Sequence, residues 1–236
     1  MKLNKALFIG FIGILCINGF TQNSPYNDYF GMGSRLGVIT GNNVQFYEFD
    51  NNTWTLNENY SLTLPNGHRG VFEWHNFAIG VVVNNEIQIF EFIDNSWINY
   101  TLNISLPNGY RSVFGLGGII IGVVSNNRVQ IYTGNYTDWT LDQQMGFNLP
   151  RGYSGVIGIG IIGVIVNNRL QAYHTFGDVL DFFNNFALPR GYRSIFRISS
   201  LADGTPTLGI VTNNGVQFYE LLNNSWSLNT SYNFIK

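Results

Sequence analysis

An Asn-Asn pair recurs along this chain at 42–43, 84–85, 126–127, 167–168 and 213–214, at intervals of 42, 42, 41 and 46 residues. Self-similarity at a fixed period near 40 residues constrains a fold more than any local propensity does, because each copy must become the same supersecondary unit. An apolar residue and a glutamine follow each pair, giving Gln45, Gln88, Gln130, Gln171 and Gln217. A tryptophan comes 12 or 13 residues after the first Asn of the pair, at Trp54, Trp97, Trp139 and Trp226, with Leu180 in that place in the fourth copy. A Leu-Pro pair closes four units, at 64–65, 106–107, 149–150 and 188–189. The block from each proline reads PNGHRGVF, PNGYRSVF, PRGYSGVI and PRGYRSIF, and PYNDYFGMG from Pro25 is a worn copy of it. Cutting at the prolines gives units 25–64, 65–106, 107–149, 150–188 and 189–236, with nothing left over for a second domain. The last unit is longest and carries an insertion from Ser199 to Pro206, with a turn-like Asp203-Gly204.

Within a unit the pattern is β. Ile119 to Val124 is a short buried-strand run, and Val129-Gln130-Ile131-Tyr132 is a second. The Asn-Asn between such runs signals a tight hairpin, because asparagine tolerates the positive φ that type I′ turns require. Trp139-Thr140-Leu141 begins another strand, and Ser112 to Gly115 follows the Leu-Pro turn. No helical period survives beyond the N-terminal segment. Each unit therefore predicts four short strands. One such sheet cannot bury both its faces alone, but copies stacked around an axis bury them against one another. The expected fold is all-β: a single five-bladed β-propeller over residues 22–236. A solenoid usually repeats over fewer residues, and a trefoil needs three units. The glycines of Gly115-Leu116-Gly117-Gly118 and Gly158-Ile159-Gly160 belong near the inner strands, where five blades crowd the axis. Whether the ring closes by abutment or by strand exchange is left open.

Composition removes other classes. Aromatic residues are 16% of the chain and charged residues 11%. A chain this apolar buries enough surface to offset its ordering entropy, which excludes disorder. Glycine without a three-residue period excludes collagen, and the shortage of Ala, Glu, Lys, Leu and Arg excludes long helical bundles. A formal net charge of -2 argues against a nucleic-acid partner.

The first 21 residues read as a secretory signal peptide: Lys2 and Lys5, then an apolar run from Ala6 to Ile17, then small residues before Gln22. The run is short for a membrane span, so none is expected after cleavage. The only cysteine, Cys16, lies within that run, so the mature chain is not stapled by disulfides. The expected location is secreted or cell-surface.

Five repeats of this length, exported and free of cysteine, resemble the five-bladed propeller lectins of the tachylectin-2 type. The resemblance covers the mature chain and is carried by repeat number and length, not by a shared motif. It implies several equivalent sugar sites, one per blade or blade junction.

Two recurrent constellations are candidates for such sites. Tyr110-Arg111 and Tyr192-Arg193, with the variants His68-Arg69 and Tyr153-Ser154, follow the Pro-x-Gly turns. An aromatic ring packs on the apolar C–H faces of a sugar, and the guanidinium fork donates to hydroxyls or carboxylates. The bland alternative is an Arg bonding loop carbonyls at the blade crossing, with the Tyr as a plug. The second constellation is the five glutamines, which either satisfy polar groups at blade joints or present amides to a ligand. The tryptophans read as packing between blades. Glu73-Trp74-His75-Asn76 falls outside the repeat and is a candidate for a unique site. Glu48, Glu91 and Glu220 recur on the third strand as a solvated face.

Catalytic signals are few. His68, His75 and His174 show no metal-ligand spacing, and no G-x-S-x-G elbow, phosphate-binding loop or Cys-His arrangement occurs. Propeller glycosidases place several carboxylates at the axis, whereas Glu73 is the one acid near an expected inner strand. The sequence thus predicts a non-catalytic binding protein without metal or cofactor. Its expected partner is a carbohydrate or surface glycoconjugate bound at repeated blade loops. The alternative is a protein-interaction or adhesion propeller that binds no sugar.

Overall fold

The computed structural model describes residues 28–135, 137–179, 186–199, 201, 205–223 and 225–234. The expected signal peptide, Leu180 and Asp203-Gly204 lie outside the described residues. The described chain is all-β and forms a five-bladed β-propeller.

Blade 1 is β1 (Asp28–Met32), β2 (Arg35–Thr40), β3 (Asn43–Asp50) and β4 (Thr53–Thr63). Blade 2 is β5 (His68–His75), β6 (Ala78–Val83), β7 (Glu86–Ile93) and β8 (Ser96–Leu102). Blade 3 is β9 (Ser112–Gly115), β10 (Ile120–Ser125), β11 (Arg128–Gly134), β12 (Trp139–Leu141) and β13 (Phe147–Asn148). Blade 4 is β14 (Tyr153–Gly158), β15 (Ile162–Val166), β16 (Arg169–Tyr173) and β17 (Phe186–Ala187). Blade 5 is β18 (Ser194–Ile198), β19 (Thr207–Thr212), β20 (Gly215–Leu222) and β21 (Ser225–Phe234). Strands are antiparallel and neighbours in sequence order within every blade. In blade 3 the outer strand is split, and β12 and β13 both pair with β11.

The first strand of each blade lies innermost. β1 packs against both β5 and β18, while β9 packs against β5 and β14. Blade 1 is built wholly from the N-terminal end of the described chain and blade 5 wholly from the C-terminal end. Among the described residues the ring therefore closes by abutment, with no strand exchanged between the ends.

Burial follows from that stacking. Second strands are sandwiched by neighbours on both faces, so β6 (AIGVVV) is buried at every position. Outer strands face water and alternate, as in β4. Five apolar clusters fill the five interblade spaces. The one between blades 1 and 2, for example, joins Phe30, Phe46 and Leu64 to Ile79, Val81 and Phe90. A further recurrent pair lies across the first two strands. The rings of Phe30, Phe72, Phe114 and Phe196 cover Gly37, Gly80, Gly122 and Gly209, each directly opposite in the ladder. Ile157 takes the phenylalanine's place over Gly163 in blade 4.

The hairpin turns carry the expected positive φ at Asn84-Asn85, Asn126-Asn127 and Asn167-Asn168. Two blades depart from this: in blade 5 Asn213 and Asn214 lack positive φ and Gly215 takes it, and in blade 1 the turn is Gly41-Asn42, with Asn43 already opening β3. The glycine there takes the positive φ instead.

Candidate functional site

The ring has two unlike faces. The hairpins between second and third strands and the crossings from one blade's outer strand to the next blade's inner strand emerge together, on what we term the upper face. The remaining turns emerge on the lower face.

Each upper-face crossing is built the same way. The amides of His68, Tyr110, Tyr153 and Tyr192 donate to the carbonyls of Pro65, Pro107, Pro150 and Pro189. Gly67, Gly109, Gly152 and Gly191 sit third in these turns with φ of 78, 72, 81 and 77°. That is the type II geometry, which needs glycine there because a side chain resists positive φ. The leucine before each proline is tied to the neighbouring hairpin: Leu64, Leu106, Leu149 and Leu188 N–H groups donate to the carbonyls of Asn42, Asn85, Asn127 and Asn168. Hairpin and crossing thus form one braced corner, repeated around the ring.

The aromatic residue after the glycine turns inward. Tyr110 packs on the cluster between blades 2 and 3, Tyr153 on that between blades 3 and 4, and Tyr192 on that between blades 4 and 5. All three are half-buried. His68 is also half-buried, and its Nδ1 lies 3.2 Å from the Pro65 carbonyl. Arg69, Arg111 and Arg193 are exposed. Arg111 Nη1 donates to the Tyr153 hydroxyl at 3.0 Å, which donates in turn to Asn127 Oδ1 at 3.3 Å. Tyr110 and Arg111 therefore do not form one pocket wall: the ring wedges a blade joint while the guanidinium reaches across the next one.

The glutamines lie in mid-sheet. Gln45, Gln88, Gln130, Gln171 and Gln217 are half-buried and stand opposite Val38, Val81, Val123, Val164 and Ile210 in the second strands. Gln171 and Gln217 Oε1 accept from the hydroxyls of Tyr173 and Tyr219, two residues along the same strand face. In blades 4 and 5 the amide oxygen thus serves the sheet itself, whereas Gln130 Oε1 is buried without a hydrogen-bond partner.

The tryptophans brace one blade to the one before it. Trp54 Nε1 donates to the Tyr232 carbonyl at 2.6 Å, and Trp97 Nε1 to the Tyr60 carbonyl at 3.2 Å. Both acceptors lie where the preceding outer strand bulges: β4 between Asn57 and Leu62, and β21 between Asn229 and Phe234. β8 pairs without a bulge, and Trp139 Nε1, which packs against blade 2, has no hydrogen-bond partner.

Glu48, Glu91 and Glu220 are half-buried and engaged, which differs from a solvated face. Glu48 takes Arg35 Nε at 2.7 Å and Asn57 Nδ2 at 3.0 Å. Glu91 pairs with His75 at 3.2 Å, and Glu220 accepts from Asn229 Nδ2 at 2.8 Å.

The break in the repeat at Glu73 falls on the axis. Gly31, Glu73, Gly115, Gly158 and Arg197 each follow the residue that covers the second-strand glycine, so they are equivalent positions of the five inner strands. A Cβ on Gly31, Gly115 or Gly158 would overlap a backbone carbonyl of the adjacent inner strand: that of Arg197, Glu73 or Gly115. Three glycines therefore let the five strands approach, and the remaining two positions carry opposite charges. Glu73 Oε1 accepts from Gly33 N–H at 3.1 Å and Ser199 Oγ at 3.2 Å, and Ser199 Oγ also lies 3.3 Å from Asn76 Oδ1. Burial pushes the Glu73 carboxyl above its ordinary value, opposed by the Gly33 amide, the Arg197 charge and the Ser199 hydroxyl. Trp74 is buried, 1% exposed, against Trp139. Of Glu73-Trp74-His75-Asn76, then, Glu73 and Asn76 join the axial cluster, Trp74 is core, and His75 turns to Glu91. Sequence spacing alone could not reveal Arg197, Ser199 and Gly33 as its partners.

Among the described residues no group of three or more His, Cys, Asp or Glu side chains is placed to hold a metal. No helix of the described residues is long and apolar enough to cross a membrane.

No family model matches the sequence, and no curated protein matches it. Among solved structures, the chain is similar to a protein from work on the de novo evolutionary emergence of a symmetrical protein, at 12% identity over 83% of this chain and 86% of that one, with a TM-score of 0.48. It is also similar to a chain of BBS1N in complex with ARL6DN, at 18% identity over 83% of this chain and 64% of that one, with a TM-score of 0.40. A functionally unknown protein from Desulfotomaculum acetoxidans matches at 15% identity over 89% of this chain and 70% of that one, with a TM-score of 0.41. At these scores the likenesses add nothing to the five-bladed geometry and say nothing about a ligand.

Proposed function

We propose that this chain is an exported, non-catalytic binding protein, and that it binds carbohydrate at repeated sites on its upper face, in the manner of a multivalent lectin. The observation that carries the reading is the braced corner of hairpin and crossing. It recurs at four successive blade junctions with exposed asparagine amides, and three of its copies, at Arg69, Arg111 and Arg193, add an exposed Arg. Amide and guanidinium groups held on a rigid ring suit hydroxyl-rich ligands, and weak sites repeated on one face gain avidity on a clustered glycan surface. The half-buried tyrosines contribute shape at the corners rather than an open stacking platform. A non-catalytic role is supported by the axial positions, where a single carboxylate faces an Arg and three glycines, not a second acid.

A second reading has its own observation. Ile119, Phe176 and Phe77 are 64, 59 and 49% exposed, and all three lie in lower-face loops. Exposed apolar side chains on that face are available to a protein partner.

A glycan array on residues 22–236, beside an Arg111→Ala/Arg193→Ala variant, tests the first reading. We expect a defined sugar to bind the parent and to bind the folded variant far less. A folded parent that ignores every glycan would transfer the assignment to the protein-partner reading.

A further inference from the structure

The fold sorts charges that composition leaves mixed. Nine arginines occur in the chain, and two of them, Arg35 and Arg197, lie toward the lower face or on the axis. The rest sit at upper-face corners, and they are uneven around the ring. Blades 3, 4 and 5 carry two each: Arg111 and Arg128, Arg151 and Arg169, Arg190 and Arg193. All six are exposed. Arg128 and Arg169 open their third strands directly after the asparagine hairpins, while Arg151 and Arg190 are second residues of the Pro-x-Gly turns. The matching third-strand openings in blades 1 and 2 hold Asn43 and Glu86, that in blade 5 holds Gly215, and the second turn residues leading into blades 2 and 3 are Asn66 and Asn108. Among the described residues, the upper ends of blades 3 to 5 carry no Asp or Glu. The acids lie elsewhere: Asp50, Asp94, Asp138 and Asp178 occupy lower-face turns of blades 1 to 4. A net charge of -2 thus conceals a positive arc on three-fifths of one face.

We infer that this arc binds an acidic polysaccharide, a chain bearing carboxylate or sulfate groups, laid across successive blade junctions. The inference rests on the carbohydrate reading above and deepens it. Guanidinium forks match planar carboxylate and tetrahedral sulfate oxygens, and the exposed amides of Asn126, Asn127, Asn167 and Asn168 lie beside them for the hydroxyls. Single-stranded nucleic acid fits less well, because it needs open aromatic faces for its bases. The tyrosine rings of this face are packed into the interblade clusters, and the Tyr153 hydroxyl is taken by Arg111 and Asn127.

The test measures binding of the mature protein to polygalacturonate, to its methyl ester, to dextran sulfate, to dextran and to single-stranded oligothymidylate. The same series is run on an Arg128→Gln/Arg151→Gln/Arg190→Gln variant, with thermal unfolding confirming that it folds. These three arginines are separate from the pair in the glycan-array test. We expect at least one acidic polymer to bind, its uncharged counterpart not to bind, affinity to fall steeply with salt, and the variant to bind at least tenfold more weakly. Equal binding of acidic and neutral forms, unchanged in the variant, would overturn the acidic class while leaving carbohydrate binding in place. Failure of all four polysaccharides overturns the acidic class, and a blank glycan array beside it would take the carbohydrate reading down as well. Oligothymidylate bound more tightly than either acidic polymer would reassign the arc to nucleic acid. Should the triple variant fail to fold, single Gln substitutions at Arg128 and Arg190 replace it, each expected to weaken binding severalfold and to flatten the salt dependence.

Discussion

Single side chains carry the joints of this ring, and two of them make sharp predictions. Trp54 donates across to blade 5, whereas Trp139 fills the same place with no acceptor. Replacing Trp by Phe removes similar apolar surface at both sites, but only at Trp54 does it orphan a buried carbonyl. We expect Trp54→Phe to cost roughly 1 kcal/mol more than Trp139→Phe, read by denaturant unfolding. Glu73 makes the second. Its folded pKa is raised, burial being the dominant cause. A carboxyl of that kind holds its full stabilising contribution below its unfolded pKa and loses it as pH rises through the folded value. The melting temperature of the parent, relative to Glu73→Gln, should therefore fall from acid toward neutral pH. A gap that stays constant, or widens in the parent's favour, would show that the Arg197 charge outweighs desolvation.

Strands and turns repeat because the same physical problem is solved five times. An inner strand must pass close to its neighbours, and glycine at the axial position allows it. Gly115→Ala places a methyl group against the Glu73 carbonyl, while Gly70→Ala, at the edge of β5, meets nothing within 4 Å. The first should lose about 1–3 kcal/mol or more through overpacking between two strands that cannot separate, and the second should be nearly neutral. Similar melting temperatures for the two variants would mean that the axis is looser than its geometry implies. The second-strand glycines under Phe30, Phe72, Phe114 and Phe196 follow the same logic, since a flat ring occupies the space a Cβ would take. That fivefold glycine was readable in the sequence at Gly37, Gly80, Gly122, Gly163 and Gly209. Its purpose was not, because the covering ring comes from the adjacent strand.

The whole molecule is five contiguous sheets closed by abutment of blade 5 on blade 1. The seam is itself an apolar core, joining Leu36 and Val38 to Phe218, Tyr232 and Phe234. A circular permutant opened in the Pro107-Asn108-Gly109 crossing, its old ends joined by a flexible linker, keeps five whole blades. One opened between Asn126 and Asn127 cuts a hairpin in mid-sheet. We expect the first to melt near the parent temperature and the second well below it. The reverse order would show that closure depends on the native ends rather than on blade integrity.

The repeat by itself determined the all-β class, the number of blades and the four strands in each, because a period of about 42 residues admits few units that can bury both faces. It also located the hairpins to within a residue, and in blades 2 to 4 for the reason expected, since the conformational freedom of asparagine is a local property. Tertiary structure alone decided which strand is innermost, how the ring closes, that Tyr110 and Tyr192 wedge blade joints, that Glu73 meets Ser199 and faces Arg197, and that six arginines gather over three blades. Each of these joins residues from different blades or assigns residues to a face. Such relations follow from the closing of a ring, and a linear period does not contain them.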